Sequence, residues 1–448
     1  MNARRDSVNT ALSVLGLLAL GFFFVRLVTQ HSYPFYARLA AFVSAALFGA
    51  LGLRFVPRWT LFWSADWPAA APEAEEPPHM GLRLFAAFLG FDLFVLLLSC
   101  PLRNALGYEE TLLDALRTWR CADGIHYLDI ARDWYLSEGS IDRLVQLVFL
   151  PGYPLLVRLL IPLAGGDLAA GLIVSALCFA AAGGVLYRLL RLDLPHETAL
   201  RALILLCLTP GSFFFAAPMS ESLFLLLCAL CLYLARSGRW LPGCLCGAMA
   251  AFTRSLGLTL FVPLVMELVR SAVGRELSVR RTLFRAAALL LIPAGFGAYC
   301  YINYLVSGDP FRFMVYQSEH WSQHLGLFFN TAAYQMQHAV SSFGRDLPLF
   351  WGLWLPNLLC SFAALALMIL AVRRLRPSYT AWFIVYYVIA IGATWLLSAP
   401  RYLLAMIALP AALALLTEKK VPRALACAGM ALLWFLYFLA FLARWQVW

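Results

Sequence analysis

The chain has 448 residues, 62% hydrophobic and only 13% charged, with a mean hydropathy of +0.78. A water-soluble protein has no means of hiding that much apolar surface, and many runs reach the roughly 17–25 residues needed to cross a bilayer. Composition therefore excludes a soluble globular enzyme and defines an all-α polytopic membrane protein. The net charge of +10 is what the cytoplasmic loops of such a protein accumulate, and it implies no nucleic acid. The eleven cysteines lie almost all inside apolar runs, as at Cys178, Cys207, Cys228, Cys300 and Cys360. Even the C-x-x-C of Cys228 and Cys231 reads as small buried apolar residues, with no zinc or disulfide signature.

About thirteen transmembrane helices are expected, at 10–29, 37–54, 83–101, 167–187, 199–217, 219–235, 240–253, 255–269, 284–306, 347–371, 379–397, 401–417 and 424–443. The first follows Arg4 and Arg5 and reads as a retained span, since no small-residue cleavage site stands out. Residues 1–63 form two extra N-terminal helices. The Pro- and acid-rich stretch 64–80, SADWPAAAPEAEEPPHM, is expected to be a flexible cytoplasmic linker, and 81–448 is the main transmembrane domain. Residues 147–163, LVFLPGYPLLVRLLIPL, are apolar but carry Pro151, Pro154, Pro162 and Arg158, so they are expected to be re-entrant or interfacial.

Charge supports that choice. With the N-terminus inside, the cytoplasmic stretches hold 21 of the 34 Lys and Arg, including Arg236, Arg270 and Arg376. A full crossing at 147–163 would move the clusters at 188–201 and 270–285 outside, against the positive-inside rule. The same topology puts the long loops 102–145 and 307–346 outside, together with the turn at 210–220, Arg254 and Arg401. No convincing internal repeat is present, nor the paired broken helices of an inverted-repeat transporter.

The loop 102–145 is large and rich in acids and arginines. Leu112, Leu113, Leu116 and Trp119 recur at helical spacing, as do Tyr127, Ile130 and Trp134, which predicts short amphipathic helices along the interface. Asp123 in TWRCADGIHYLDIARDWY (118–135) sits where those helices join. It suits a helix N-cap before Gly124 and Ile125, and equally a catalytic carboxylate. Arg158 reads either as snorkelling to the headgroups or as a lipid-phosphate contact. In TPGSFFFAAPMSESLF (209–224), Ser220, Glu221 and Ser222 open a span and suit capping. Glu221 suits equally the orienting of an acceptor hydroxyl. Arg254 in FTRSLG and Arg401 in SAPRYLL stand at outer span ends. Such arginines snorkel, pair with an acid, or hold an anionic phosphate. Asp92 is an intramembrane acid with no evident partner, and an arginine on another helix is one reading. His320 and His324 are four apart, a spacing open to one helix face or to a surface pair. His126, His320, His324 and His338 lack metal spacing otherwise, and no D-x-D, P-loop or G-x-G-x-x-G is present.

In order along the chain these segments resemble the PIG-V family, GPI mannosyltransferase 2 and its bacterial relatives. The family's W-D-x-x-H-F/Y-x-x-I-A-x-x-G-Y is similar to Asp123, His126, Tyr127, Ile130, Ala131 and Tyr135, with Ala122 in place of the tryptophan and Trp134 in place of the glycine. F-F-P-x-x-P-L resembles Phe149–Leu155, including Pro151, Tyr153 and Pro154. N-P-A-x-x-F-x-x-A-x-Y-S-E-S/A-L-F resembles Thr209–Phe224, with Pro210, Phe214, Ala217, Ser220, Glu221, Leu223 and Phe224 kept. R-S-N-G resembles Arg254, Ser255, Leu256 and Gly257. G-D-P-x-x-F followed by W resembles Gly308, Asp309, Pro310, Phe313 and Trp321. P-R-Y/F-L resembles Pro400, Arg401, Tyr402 and Leu403. The resemblance covers roughly 82–420.

It implies the GT-C glycosyltransferase fold and a hexosyl transfer on the extracytoplasmic face. A polyprenyl-phosphate mannose would be the donor, a glycolipid or glycan hydroxyl the acceptor, and the transfer inverting. Asp123 is then the general base. Arg254 and Arg401, with Arg158 behind them, bind the donor phosphate. His126, Tyr127, Glu221, Ser220, Tyr153 and Trp321 position the acceptor or the loop. No cofactor and no metal ligands are assigned, although the sequence leaves a divalent metal open. The alternatives are a GT-C transferase using another lipid-linked sugar, such as a protein O-mannosyltransferase or arabinosyltransferase, a flippase or transporter of a lipid-linked glycan, and a scaffold. Arginine outnumbers lysine, which occurs only at Lys419 and Lys420. That favours a bacterial plasma membrane over the endoplasmic reticulum. Oligomeric state is not encoded in any of these features.

Overall fold

The structure is a computed structural model and describes residues 2–64, 77–135, 145–274 and 277–447, with the side chains of 2–4 left aside. The described residues form helices joined by turns, with a single isolated bridge between Leu325 and Ala393. Most of the linker 64–80 and part of the loop 102–145 lie outside the described residues.

Among the described residues, eight helices are long and apolar enough to cross a membrane, at Arg5–Gln30, Phe35–Phe62, Met80–Ala105, Asp167–Arg191, Ser255–Val273, Val279–Ser307, Leu347–Ala371 and Lys420–Leu442. The remaining expected spans are shorter or broken. Residues 199–217 form the helix His196–Cys207, then a bend and a 3-10 turn at Ser212–Phe215. Pro210 lacks the N–H that would continue the helix. Residues 401–417 divide into Ala399–Tyr402 and Ala408–Leu416. The helix Gly152–Ala164, with Pro162 inside it, has 13 residues. That is about 20 Å at 1.5 Å per residue, short of the roughly 30 Å hydrocarbon core.

The centre of the molecule is a row of packed helices. Glu221–Arg236 lies against both Trp240–Thr253 and Asp167–Arg191, and Asp167–Arg191 packs on Met80–Ala105. On another side, Phe35–Phe62 packs on Phe328–Ser342 and Leu355–Ala371, with Phe48 against Phe328 at 4.6 Å and Tyr33 bonded to Asn330 at 2.8 Å. Asn2–Gln30 leans on Phe35–Phe62 and turns much of its apolar surface outward, as a helix facing lipid does.

The loop 102–145 contains the expected helices, Leu112–Arg117 and Asp123–Asp133. Leu112, Leu113 and Ile125 are exposed, leaving an apolar fringe for the interface. The loop 307–346 contains Arg312–Trp321 and Phe328–Ser342. It is stitched to 392–396 by Gly326 N–H to Gly392 O at 2.6 Å and Thr394 N–H to His324 O at 2.9 Å.

Two open readings are decided here. The helix Arg312–Trp321 ends at Ser322 in the left-handed region, so His320 and His324 share no helix face. Asp92 is fully buried in Met80–Ala105, and neither of its oxygens has a hydrogen-bond partner, so it does not pair with an arginine among the described residues.

Candidate active site

Three interruptions in the helical backbone meet at one place: the bend before Glu221, the step at Arg254 between Trp240–Thr253 and the 3-10 turn Ser255–Leu260, and the short helix Ala399–Tyr402. Irregular backbone inside a membrane protein survives only when packed in protein or lining a wet cavity. Here Phe213–Ala217 and Met219 are completely buried. Side chains satisfy part of the freed backbone: Ser175 Oγ donates to Ala217 O at 2.6 Å, and Ser222 Oγ donates to Phe215 O at 2.5 Å. Close approach fixes the step at Arg254. A Cβ at Gly152 would sit 2.9 Å from Thr253 Cα, and one at Gly257 would run into the Ala250–Ala251 backbone.

Each interruption delivers a charged side chain. Arg401 Nη2 lies 2.6 Å from Asp123 Oδ2 and Arg401 Nε 3.4 Å from Glu221 Oε1. The same Glu221 oxygen is 2.6 Å from Arg254 Nη1. Glu221 Oε2 is buried without a hydrogen-bond partner. The side chains of Arg401 and Glu221 are each only 4% exposed, against 31% for Asp123. Arg254 also donates to Ser220 Oγ at 3.3 Å, and Ser220 Oγ bonds the Tyr127 hydroxyl at 3.0 Å. Tyr127 stands one turn after Asp123, so one helix face supplies both. Tyr402 lies beside both guanidinium groups, 5.6 Å from Arg401 and 5.9 Å from Arg254, with Phe214 5.7 Å from Arg401. Cations are attracted to ring faces at such distances.

Capping and snorkelling do not describe these residues. Asp123 is the first residue of its helix and Ala122 the capping position, with no side-chain cap bond. Ser220 occupies the cap of Glu221–Arg236 without a cap bond. Arg401 is buried and Arg254 is half-buried, and both are paired with acids.

An aromatic group adjoins the charges. His126 stacks on Phe149 at 4.6 Å, and Trp321 meets His126 and Phe149 edge-on at 6.4 and 5.8 Å. Burial holds the His126 imidazole below its ordinary pKa, against the opposing pull of Asp123 and Asp129. Burial likewise pushes the Tyr127 phenol up to about 12, so it stays protonated. Tyr153 lies behind, its hydroxyl bonded to Gly171 O and Ser175 Oγ at 2.9 Å and its ring edge-on to Tyr127 at 5.5 Å. Arg158 stays outside the cluster and donates to Ala131 O and Arg132 O at 3.3 and 3.4 Å. Those are the last carbonyls of Asp123–Asp133, where a cation satisfies the helix end. Among the described residues, no three His, Cys, Asp or Glu converge as metal ligands. Tyr402, Phe214 and Met219 were not legible as site residues. Their signal is adjacency to Arg401 and Ser220 in the motifs, and Met219 Sδ accepts from Arg401 Nη1 at 3.5 Å.

Fold and site together define an integral membrane protein with two arginines, one buried and one half-buried, joined by acids where its helices break. Residues 97–294 match the family model described as Mannosyltransferase (PIG-V). Within it lie Asp123, His126, Tyr127, Ser220, Glu221 and Arg254, while Trp321 and Arg401 come from beyond it. The human GPI alpha-1,6-mannosyltransferase 2 is 37% identical over 161 residues, covering 33% of this chain and 31% of that protein. GPI mannosyltransferase 2 of Drosophila pseudoobscura pseudoobscura is 32% identical over 127 residues, covering 26% and 27%. Each match thus spans under a third of the relative's own length. The crystal structure of ArnT from Cupriavidus metallidurans bound to undecaprenyl phosphate aligns with 80% of this chain and 64% of that one, at a TM-score of 0.48 and 19% identity.

Proposed function

We propose that the chain is a GT-C glycosyltransferase that moves mannose from polyprenyl-phosphate mannose to a glycolipid or glycan hydroxyl on the extracytoplasmic face, with inversion. The observation that carries the reading is the gathering of Asp123, Glu221, Arg254 and Arg401 from four separate segments into one charged cluster. In the reaction the acceptor oxygen attacks the anomeric carbon while Asp123 takes its proton. The bond from that carbon to the phosphate oxygen breaks, and its electron pair leaves with the lipid phosphate. Arg254 and Arg401 supply fixed positive charge where the leaving group becomes more negative. Guanidinium groups suit that task because their planar forks match phosphate oxygens.

Glu221 Oε2, Ser220 and Tyr127 offer hydroxyl-binding groups beside the arginines. His126, kept neutral by burial, Phe149 and Trp321 form a ring-lined wall suited to a sugar. The family match over 97–294 supports mannose as the transferred sugar. The dominance of arginine over lysine supports a bacterial plasma membrane, where the product is not a GPI anchor.

The test is transfer of radiolabelled mannose from polyprenyl-phosphate mannose to a membrane lipid extract, with wild type and Asp123→Asn side by side. Loss of a general base costs on the order of 10²–10⁴-fold, so transfer by wild type and its near-absence in the variant are expected. Equal transfer by both removes Asp123 from the chemistry.

A further inference from the structure

We infer that the Asp123–Arg401 ion pair is a resting lock that the donor's phosphate opens, so that the base is released only once donor is seated. The inference rests on the donor site proposed above. Its basis is how the three nitrogens of Arg401 are used. Nε lies 3.4 Å from Glu221 Oε1 without a hydrogen bond, Nη1 donates to the Met219 sulfur at 3.5 Å, and Nη2 is held by Asp123 Oδ2 at 2.6 Å. A thioether is a weak acceptor. The Nη1–Nη2 edge is therefore closed only by a weak partner and by one carboxylate.

The two ends of that ion pair differ in freedom. Arg401 is 4% exposed, lies between the rings of Phe214 and Tyr402, and has Glu221 on its far side. Asp123 is 31% exposed and stands on the first residue of its helix. When an anion competes for the edge, the side chain that moves is Asp123. A phosphate brings two oxygens to Nη1 and Nη2 at once, the bidentate arrangement a guanidinium binds most strongly. Asp123, left without its cation, regains a free lone pair for an acceptor proton. Donor binding thus precedes a competent base, and the order of substrates is built into one contact. No covalent bond changes in this step; one anion replaces another on the same guanidinium.

Binding measures this without turnover. A short-chain polyprenyl monophosphate is titrated onto the full-length protein in nanodiscs of zwitterionic lipid, for wild type, Asp123→Asn, Asp123→Ala and Arg401→Gln. Removing the competing carboxylate is expected to tighten binding about tenfold in both Asp123 variants, since close charge pairs of this kind couple strongly, and Arg401→Gln is expected to weaken it. Unchanged or weaker binding in Asp123→Asn and Asp123→Ala, with Arg401→Gln still weak, overturns the lock and leaves the donor site standing. No binding to wild type, or binding indifferent to Arg401→Gln, overturns the donor site and the lock with it. Equal displacement by phosphatidylglycerol assigns the edge to bilayer headgroups and overturns both.

Discussion

Ala122, directly before Asp123, holds φ +47° and ψ −136°. That region is comfortable only for glycine, because any Cβ crowds the neighbouring carbonyl. Strain of this kind persists where surrounding contacts over-determine a site, and here it aims the first carboxylate of a helix at Arg401. Ala122→Gly should raise stability by about 1 kcal/mol, read as a higher midpoint of thermal unfolding in detergent; a lower midpoint would show that no strain resides there. Nothing in an alanine announces a positive φ, so this was illegible in the sequence. Asp123, Glu221, Arg254 and Arg401 were legible, because a charge retained among apolar spans needs a reason. Their pairings were not, since four segments far apart in the chain had to meet. Arg158 stands apart from the cluster, and residue type alone does not say which carbonyls stand within reach of a guanidinium.

The helices that carry the site are aimed by close backbone approach. Gly257 lies in the 3-10 turn after Arg254, where an added Cβ meets the main chain of Ala250 and Ala251. Backbone cannot rotate aside as a side chain can, so Gly257→Ala should destabilise by about 1–3 kcal/mol, the usual range for overpacking. An unchanged unfolding midpoint would mean the turn shifts freely. The long spans and the amphipathic helices of the first outer loop were legible from hydropathy and 3.6-residue spacing. The breaks within 199–217 and 401–417 were not, because the residues on both sides are equally apolar. Hydropathy measures only whether a segment is buried; both breaks are buried against protein, so it gives no sign of them.

Across the molecule, charge collects at two ends. Away from the site, Arg236 and Arg376 converge on Asp193, and Arg376 also holds Glu267 through Nε and Nη2 at 2.7 and 2.8 Å. Glu221 and Arg236 are the first and last residues of one 16-residue helix, which sets the two clusters about 22 Å apart along its axis. The positive-inside rule likewise puts Arg236 and Arg376 on the side opposite Arg254 and Arg401. Arg376→Gln leaves the buried Glu267 without its main cation. It should cost about 3 kcal/mol of stability while leaving lipid-phosphate binding unchanged. Weakened binding in that variant would show that the two ends are coupled.

The charged cluster also has a history in time. Asp123, Glu221 and Arg254 lie in the stretch that matches the family model, while Arg401 comes from near the end of the chain. At roughly 5–20 residues per second, Asp123 is synthesised on the order of tens of seconds before its arginine exists. A nascent chain truncated between Asp123 and Arg401 therefore holds the outer-loop carboxylate without its cation. Such a chain is a ready mark for quality control to recognise as unfinished.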